Sequence, residues 1–270
     1  MPVVAPPYIM RSYGGTDIGR RRSVNEDAYL CDDELGLWVV ADGMGGHAAG
    51  EVASRESIDT IHGMVKRGKA SLALDGPQTE EKARAACRLL EGAVQAATYI
   101  LFAMAELDRG KAGMGTTISA MMRFGDSLVM GQVGDSRIYR VRDGQALQLT
   151  EDHTLIAWQL KQGLITEDEA RVSKQRNVIT RAVGSRDYVQ VDTSVWEVCS
   201  GDRYLLCSDG LHGYLHLNEI ADALGEGGEA AVRTLIERAN ARGGKDNITA
   251  IVVEVLPRQS VTERPEHSEI

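Results

Sequence analysis

The chain has 270 residues but only four cysteines, six prolines and two phenylalanines. Cys31, Cys87, Cys199 and Cys207 are scattered with no CxxC spacing, which excludes a Cys-based zinc site and a disulfide framework. They read as ordinary thiols of a reducing cytoplasm. Long apolar runs are also missing. The best candidate, AVQAATYILFAMA at 93–105, is interrupted by Gln95 and Thr98 and is too short to cross a bilayer, so it reads as a core helix. The first fifteen residues, MPVVAPPYIMRSYGG, lack a charged segment followed by an apolar core, and no secretory signal is expected. Basic residues are in deficit: 30 Lys and Arg against 39 Asp and Glu give a net charge of −9. A general nucleic-acid binder would need a basic face. The expectation is a cytoplasmic chain with no nucleic-acid and no membrane partner.

What is present supports a folded core. With 43% hydrophobic and 26% charged residues the chain is globular, of a length for one large domain or two small ones. No repeat or low-complexity tract divides it. Residues 1–15 and 257–270 are polar, hold most of the prolines, and read as tails around a single domain at 16–256. AYLCDD and LGLWVVAD predict a hairpin around Asp33–Gly36. Apolar residues three or four apart predict helices over 48–66 and 79–108. Short strands with turn signals follow: GTTISAMMRF, SLVMGQVGD, SRIYRV and QALQLT. Residues 153–186 are mixed and polar. Strands return at 189–198 and 203–208, then helices at 217–225 and 228–242, then the strand NITAIVVEVL. Strand–helix–strand alternation at βαβ spacing is missing, which favours antiparallel sheets with helices packed outside them.

The acids stand out by position. Asp42 (VVADG), Asp135 (QVGDS), Asp209 (LLCSDG) and Asp246 (GGKDN) sit at strand ends and are followed by glycine or a small polar residue, and Asp27 (NEDAYL) sits where a strand begins. Any one of these reads as a turn or cap residue. The recurrence beside apolar strands is the signal, because carboxylates gathered at one sheet edge repel unless a cation lies between them. Oxygen donors without Cys or His pairs suit Mg²⁺ or Mn²⁺. Gly43 has no Cβ, which would let its carbonyl approach a metal, and Gly45 and Gly46 allow a tight turn before the helix.

RSVNED (22–27), VVADGMGGHAAGEVAS (39–54), GMGTT (113–117), VGDSRIYR (133–140), LLCSDGL (205–211) and GGKDNITAIVV (243–253) together resemble the ordered motifs of the metal-dependent type 2C (PPM) Ser/Thr protein phosphatases, the bacterial single-domain branch best. The resemblance runs from about Thr16 to Val255. It implies an α+β fold, a four-layer α/β/β/α sandwich of two antiparallel sheets flanked by helices. It also implies two Mn²⁺ or Mg²⁺ ions at one end, and a weaker third. Asp27 and Asp42 would flank the two ions, with Asp42 bridging and the Gly43 carbonyl completing a shell; Asp209 and Asp246 would hold the other ion. Asp135 would take the third ion or be a turn residue. Glu26 would hold metal-bound waters, and Asn247 would tune the site or make a turn. The implied reaction is hydrolysis of phosphoserine and phosphothreonine in proteins by direct attack of a hydroxide shared by two metal ions.

Arg22 would grip the phosphate through paired charge-assisted bonds. Spacing alone leaves Arg21 as an alternative; family register selects Arg22. His47 would protonate the leaving oxygen or cap the next helix. Met44 stands where some relatives carry a His, and His153 reads as structural. Residues 153–186 match the family's flap beside the site, but Ser173 and Lys174 replace a His-Pro found in many relatives. The partners implied are phosphorylated proteins, a Ser/Thr kinase and its substrates, met by a monomer. Alternatives are a phosphoprotein-binding pseudophosphatase scaffold, which would lack metal ligands, and a phosphatase of small metabolites.

Overall fold

The structure, a computed structural model, describes residues 8–45, 49–72, 79–175 and 177–258. In chain order come β1 (Tyr8–Asp17), β2 (Asp27–Asp32), β3 (Leu37–Met44), α1 (Ala49–Leu72), α2 (Glu80–Leu107), β4 (Gly115–Thr116), β5 (Ile118–Phe124), β6 (Ser127–Val133), β7 (Arg137–Arg142) and β8 (Gln145–Gln148). After them come α3 (Leu155–Lys161), α4 (Glu167–Val172), β9 (Asp192–Glu197), β10 (Arg203–Cys207), α5 (Asp209–His212), α6 (Leu217–Glu226), α7 (Gly228–Ala241) and β11 (Ile248–Pro257). One sheet has the order β1-β11-β10-β7-β8 and the other β2-β3-β5-β6-β9, with β4 beside β3. The pairings are antiparallel, as the missing βαβ spacing predicts.

Three apolar layers hold four layers of structure. On β3, Leu37, Val39 and Ala41 pack against Ile58, Ile61 and Val65 of α1 and Leu90 and Val94 of α2. The alternate residues Trp38 and Val40 face the other sheet, where Tyr204, Leu206, Ile251 and Val253 meet them. On β10 and β11, Leu205, Cys207, Ala250 and Val252 turn outward onto Leu224, Val232 and Leu235 of α6 and α7. The strands therefore read as nearly continuous apolar runs, because both faces are buried. Thr79 starts α2 by accepting a hydrogen bond from Lys82 N at 3.2 Å, with Glu80 and Glu81 in the first turn where the helix dipole favours them.

The N-terminal tail expected over 1–15 is corrected from Tyr8 on. Residues Tyr8–Asp17 form a ten-residue edge strand paired along its length with β11. Only Tyr8 and Met10 of its length are buried, so its periodicity is too faint to read against a polar, glycine-containing background. At the other end β11 runs to Pro257, and residues 259–270 lie outside those described.

Segment 153–186 leaves the sheets through a neck. Leu155 N donates to Val178 O at 2.8 Å and Thr180 N to His153 O at 2.8 Å. A second fastening joins Thr116 and Val183, each amide donating to the other's carbonyl, at 3.0 and 2.9 Å. His153 anchors the neck, as its structural reading requires: its backbone N donates to Gly134 O at 2.9 Å, and its Nδ1 accepts from Gly134 N at 3.1 Å.

A chain beginning at Gly14 should lose about 4 kcal/mol or more of stability, because Tyr8 and Met10 leave the layer between the sheets and each large buried side chain contributes roughly 2–5 kcal/mol. Urea unfolding followed by tryptophan fluorescence checks this; an unchanged midpoint would return residues 8–13 to the status of a tail.

Candidate metal centre

The alternation that fills the space between the sheets turns polar at one end of the sandwich. Continuing from Trp38 and Val40, the next inward position on β3 is Asp42, and Asp27 of β2 is its register partner. From the facing sheet come Ser208, just past β10, and Thr249 of β11. Asp27 Oδ2 accepts from Ser208 Oγ at 2.8 Å and from Thr249 Oγ1 at 2.6 Å, tying the two sheets together. Asp27 Oδ1 is buried and has no hydrogen-bond partner among the described residues. The same is true of Glu26 Oε1.

Asp42 is braced from behind by the GMGTT segment. Thr117 N and Thr116 Oγ1 both donate to Asp42 O at 2.9 Å, and Asp42 N and Thr117 Oγ1 are 3.0 Å apart. Thr117 Oγ1 in turn lies 2.7 Å from Ser136 Oγ, next to Asp135. Asp209 opens α5 directly after β10, and Asp246 precedes β11. Asn247 Oδ1 accepts from Glu26 N at 2.9 Å, while its Nδ2 donates to Ile18 O and Val24 O, both at 3.0 Å. Its amide thus clamps the loop that carries Arg22, Glu26 and Asp27, beyond ordinary turn chemistry.

Electrostatics register the crowding. Burial, with Asp27, Asp209, Asp135 and Asp246 adding to it, holds the Asp42 carboxyl well above its ordinary value. Burial pushes Asp27 up to about 7, with Asp209 and Asp246 adding to the rise against the bonds from Thr249 and Ser208. Asp135 rises to about 7 through burial and the charge of Asp209. Asp209 rises to about 6 through burial and Asp246, held back by Arg22 and by a hydrogen bond with Asp42. Burial also raises Glu26, with Arg22 opposing it. Arg22 lies on Asp246, Nη2 to Oδ2 at 2.7 Å, with both side chains partly exposed.

The structure therefore brings Asp27, Asp42, Asp135, Asp209 and Asp246 together, with Glu26, Asn247 and Arg22 beside them. Among the described residues no three of the acidic, His or Cys side chains stand in ready-made chelating geometry; Asp42 bonds Asp209, and Asp246 bonds Arg22. The donor set nonetheless suits hard cations: crowded carboxylates with raised affinity for protons, and two buried carboxylate oxygens left without donors. His47 lies outside the described residues. The reason for Gly43 differs in part from the sequence reading. A Cβ there would sit 2.1 Å from Gly50 O and 2.5 Å from Glu26 O, so the close approach that needs a glycine is that of α1 to the strand end.

Sequence reading passed over the hydroxyls. Thr116, Thr117, Ser208 and Thr249 each bond Asp27 or Asp42, Ser136 backs Thr117, and their signal was adjacency, in the strings GTT, DS, SD and NIT. It also passed over His212, whose half-buried ring contacts Asp135 O through Nε2 at 2.9 Å and is pushed down to about 3 by its removal from water. A cleft of about 320 Å³ opens beside Asp135, Asp209 and Asp246, lined also by Arg137, Lys245 and Tyr214. A larger groove of about 580 Å³ between β1 and α7 holds none of these acids.

A sequence profile described as Protein phosphatase 2C matches residues 15–252. The chain belongs to the protein phosphatase 2C family. It is 38% identical over 250 residues to "Serine/threonine protein phosphatase PstP" of Mycobacterium tuberculosis, covering 92% of this chain and 45% of that protein. The chain thus spans about half the length of the mycobacterial relative it matches. "Serine/threonine phosphatase stp" of Listeria welshimeri is 35% identical over 246 residues, covering 88% of this chain and 93% of that one. Among solved structures, the catalytic domain of PstP "in complex with 2 Manganese ions" superposes with a TM-score of 0.79 at 34% identity, covering 92% of this chain and 99% of that one. As a member of the protein phosphatase 2C family, the chain has the two-sheet sandwich with outer helices that the sequence implies.

The raised carboxyls predict a pH signature of the metal-free protein. A folded value above the unfolded 3.8 means that the fold favours the protonated form. That contribution is complete below about pH 4 and is lost as pH rises through about 6 to 7. With EDTA, the urea midpoint should fall from pH 5 to pH 8. Asp42→Asn should flatten the fall, as should 1 mM Mn²⁺ in place of EDTA. A flat profile in the metal-free parent protein would mean that the acids do not repel as described.

Proposed function

We propose that this chain hydrolyses phosphoserine and phosphothreonine in proteins with two Mn²⁺ or Mg²⁺ ions. The observation that carries the reading is the convergence of Asp27, Asp42, Asp209 and Asp246 from strand ends of both sheets. Asp27 and Asp42 would hold the ions from one sheet, with the Gly43 carbonyl, and Asp209 and Asp246 from the other. When bound, the ions supply an activated water and neutralise charge on the phosphoryl oxygens. The chain supplies position. Glu26 and Asn247 fix the loop, Thr116 and Thr117 fix Asp42, and Arg22 grips the phosphate through paired donors. Its bond to Asp246 holds the guanidinium at the rim, poised beside the acids. His47 is retained as a candidate proton donor to the leaving oxygen. The partners proposed are a bacterial Ser/Thr kinase and its substrates, in the cytoplasm, met by a monomer. No helix among the described residues is long and apolar enough to cross a membrane. A pseudophosphatase scaffold is disfavoured, since none of the expected acids is missing.

Hydrolysis of a phosphothreonine peptide should need added Mn²⁺ or Mg²⁺ and stop with EDTA; full turnover by metal-stripped protein would defeat the mechanism. Asp209→Asn and Asp246→Asn should lose most turnover while staying folded.

Arg22→Ala should cost roughly 2–4 kcal/mol in kcat/KM, with Arg21→Ala far milder. The reverse order would place the phosphate on Arg21.

Asp135 is proposed as a ligand of a weaker third ion. Asp135→Ala should leave two tight metal sites in calorimetry and flatten the rise of turnover at high Mn²⁺. An unchanged titration would leave Asp135 a turn residue.

A further inference from the structure

We propose that Lys245 reads an acidic side chain next to the phosphorylated residue of the substrate, making this chain selective for phosphosites in acidic surroundings. The inference rests on the phosphatase reading above. Lys245 lines the cleft that opens beside Asp135, Asp209 and Asp246. The other Lys or Arg side chain lining that cleft, Arg137, is committed, as are Arg22 and Arg242. Arg137 makes two bonds to Asp152, at 2.8 and 2.7 Å; Arg22 holds Asp246; Arg242 pairs with Glu219. The Lys245 ammonium has no ion pair or hydrogen bond among the described residues, and the residue is exposed.

Its backbone is nevertheless fixed. Lys245 N donates to Tyr214 Oη at 3.1 Å. The preceding Gly243 and Gly244 have φ of 135° and 49°, a path that other residues rarely take. Gly244 is held from both sides, its N donating to Ala239 O at 3.2 Å and its O accepting from Arg20 N at 2.7 Å. A pinned backbone carrying an uncommitted charge at the mouth of a cleft suits recognition better than stabilisation. The flap side of the same cleft offers Thr154 and Asn177, both neutral. Of the residues lining the cleft, Lys245 is the one that would attract an acidic flanking residue.

The overall charge sharpens the effect. A chain of net −9 repels acidic peptides at long range. A cation at the mouth of the cleft offsets that repulsion where it matters and sets the register of the peptide.

The test uses the full chain with Mn²⁺ and phosphothreonine peptides identical except for one Glu, Gln or Lys at each of two positions on either side. At one position or more, kcat/KM for Glu should exceed that for Gln about threefold, with Lys below Gln, as an exposed ion pair allows. Lys245→Gln should level the series, Lys245→Arg should keep it, and Lys245→Glu should invert it. Raising NaCl to 0.5 M should compress the parent's preference. The ratios compare peptides on one protein, so a loss of folded enzyme cannot imitate the result. Equal rates at every position, or a Glu preference surviving in Lys245→Glu, would overturn the proposal while leaving the phosphatase reading intact. No hydrolysis of any peptide with Mn²⁺ would defeat that reading and this inference with it.

Discussion

Like charge confined in a buried space is the constraint from which the rest of this structure follows. Asp27, Asp42, Asp135 and Asp209 sit where water is scarce, and burial together with the charge of neighbouring acids raises their affinity for protons. Such a cluster is unstable in an apolar layer. It survives because Asp27, Asp42 and the loop leading in are tied to something rigid. Ser208 and Thr249 hold Asp27, the Thr116–Thr117 pair holds Asp42, and Asn247 holds the loop leading in. The hydroxyls do two things at once. Those of Ser208 and Thr249 lower the cost of burying the Asp27 carboxylate and hold it in place, and those of Thr116 and Thr117 fix the backbone from which the Asp42 side chain projects.

The sandwich delivers this arrangement through one simple rule. Each central strand sends alternate residues to the helices and to the opposite sheet. Over most of the length the inter-sheet positions are Trp38, Met121, Tyr204 and Ile251. At one end the same positions become Asp, Ser and Thr. The apolar part fixes the distance and register of the sheets, and the polar end inherits that precision without a separate scaffold. Sites carried on sheet ends in this way gain from the core's rigidity.

Much of this was legible in the sequence, and the reasons are specific. Six motifs in order marked the family, and five acids beside apolar strands marked the centre. The helices at 217–225 and 228–242 are found at Leu217–Glu226 and Gly228–Ala241 because their periodicity is strong. β1 was missed because an edge strand with two buried side chains carries little pattern. The bracing role of Asn247 was missed because an Asn after Asp looks like a turn, and its three partners lie more than two hundred residues away in the chain. Gly43 was read for its carbonyl alone, and the structure adds a second reason for a glycine, since the carbonyl of Gly50 from α1 fills the space a Cβ would need. Contacts between remote segments leave no local trace.

The neck of segment 153–186 has a consequence for how such proteins diverge. His153–Leu155 and Val178–Thr180 are stitched together, and Val183 is stitched to Thr116, whose hydroxyl holds the Asp42 carbonyl. The chain between the stitches begins and ends at one fixed place. Its ends stay together whatever its length, so lengthening it costs only a slowly growing closure entropy. Sequence drift and insertions inside the loop are therefore insulated from the strand ends, whereas a change at Thr116 would be felt on both sides. The fold separates a part free to vary from a part that is not, and the boundary between them is four backbone hydrogen bonds wide.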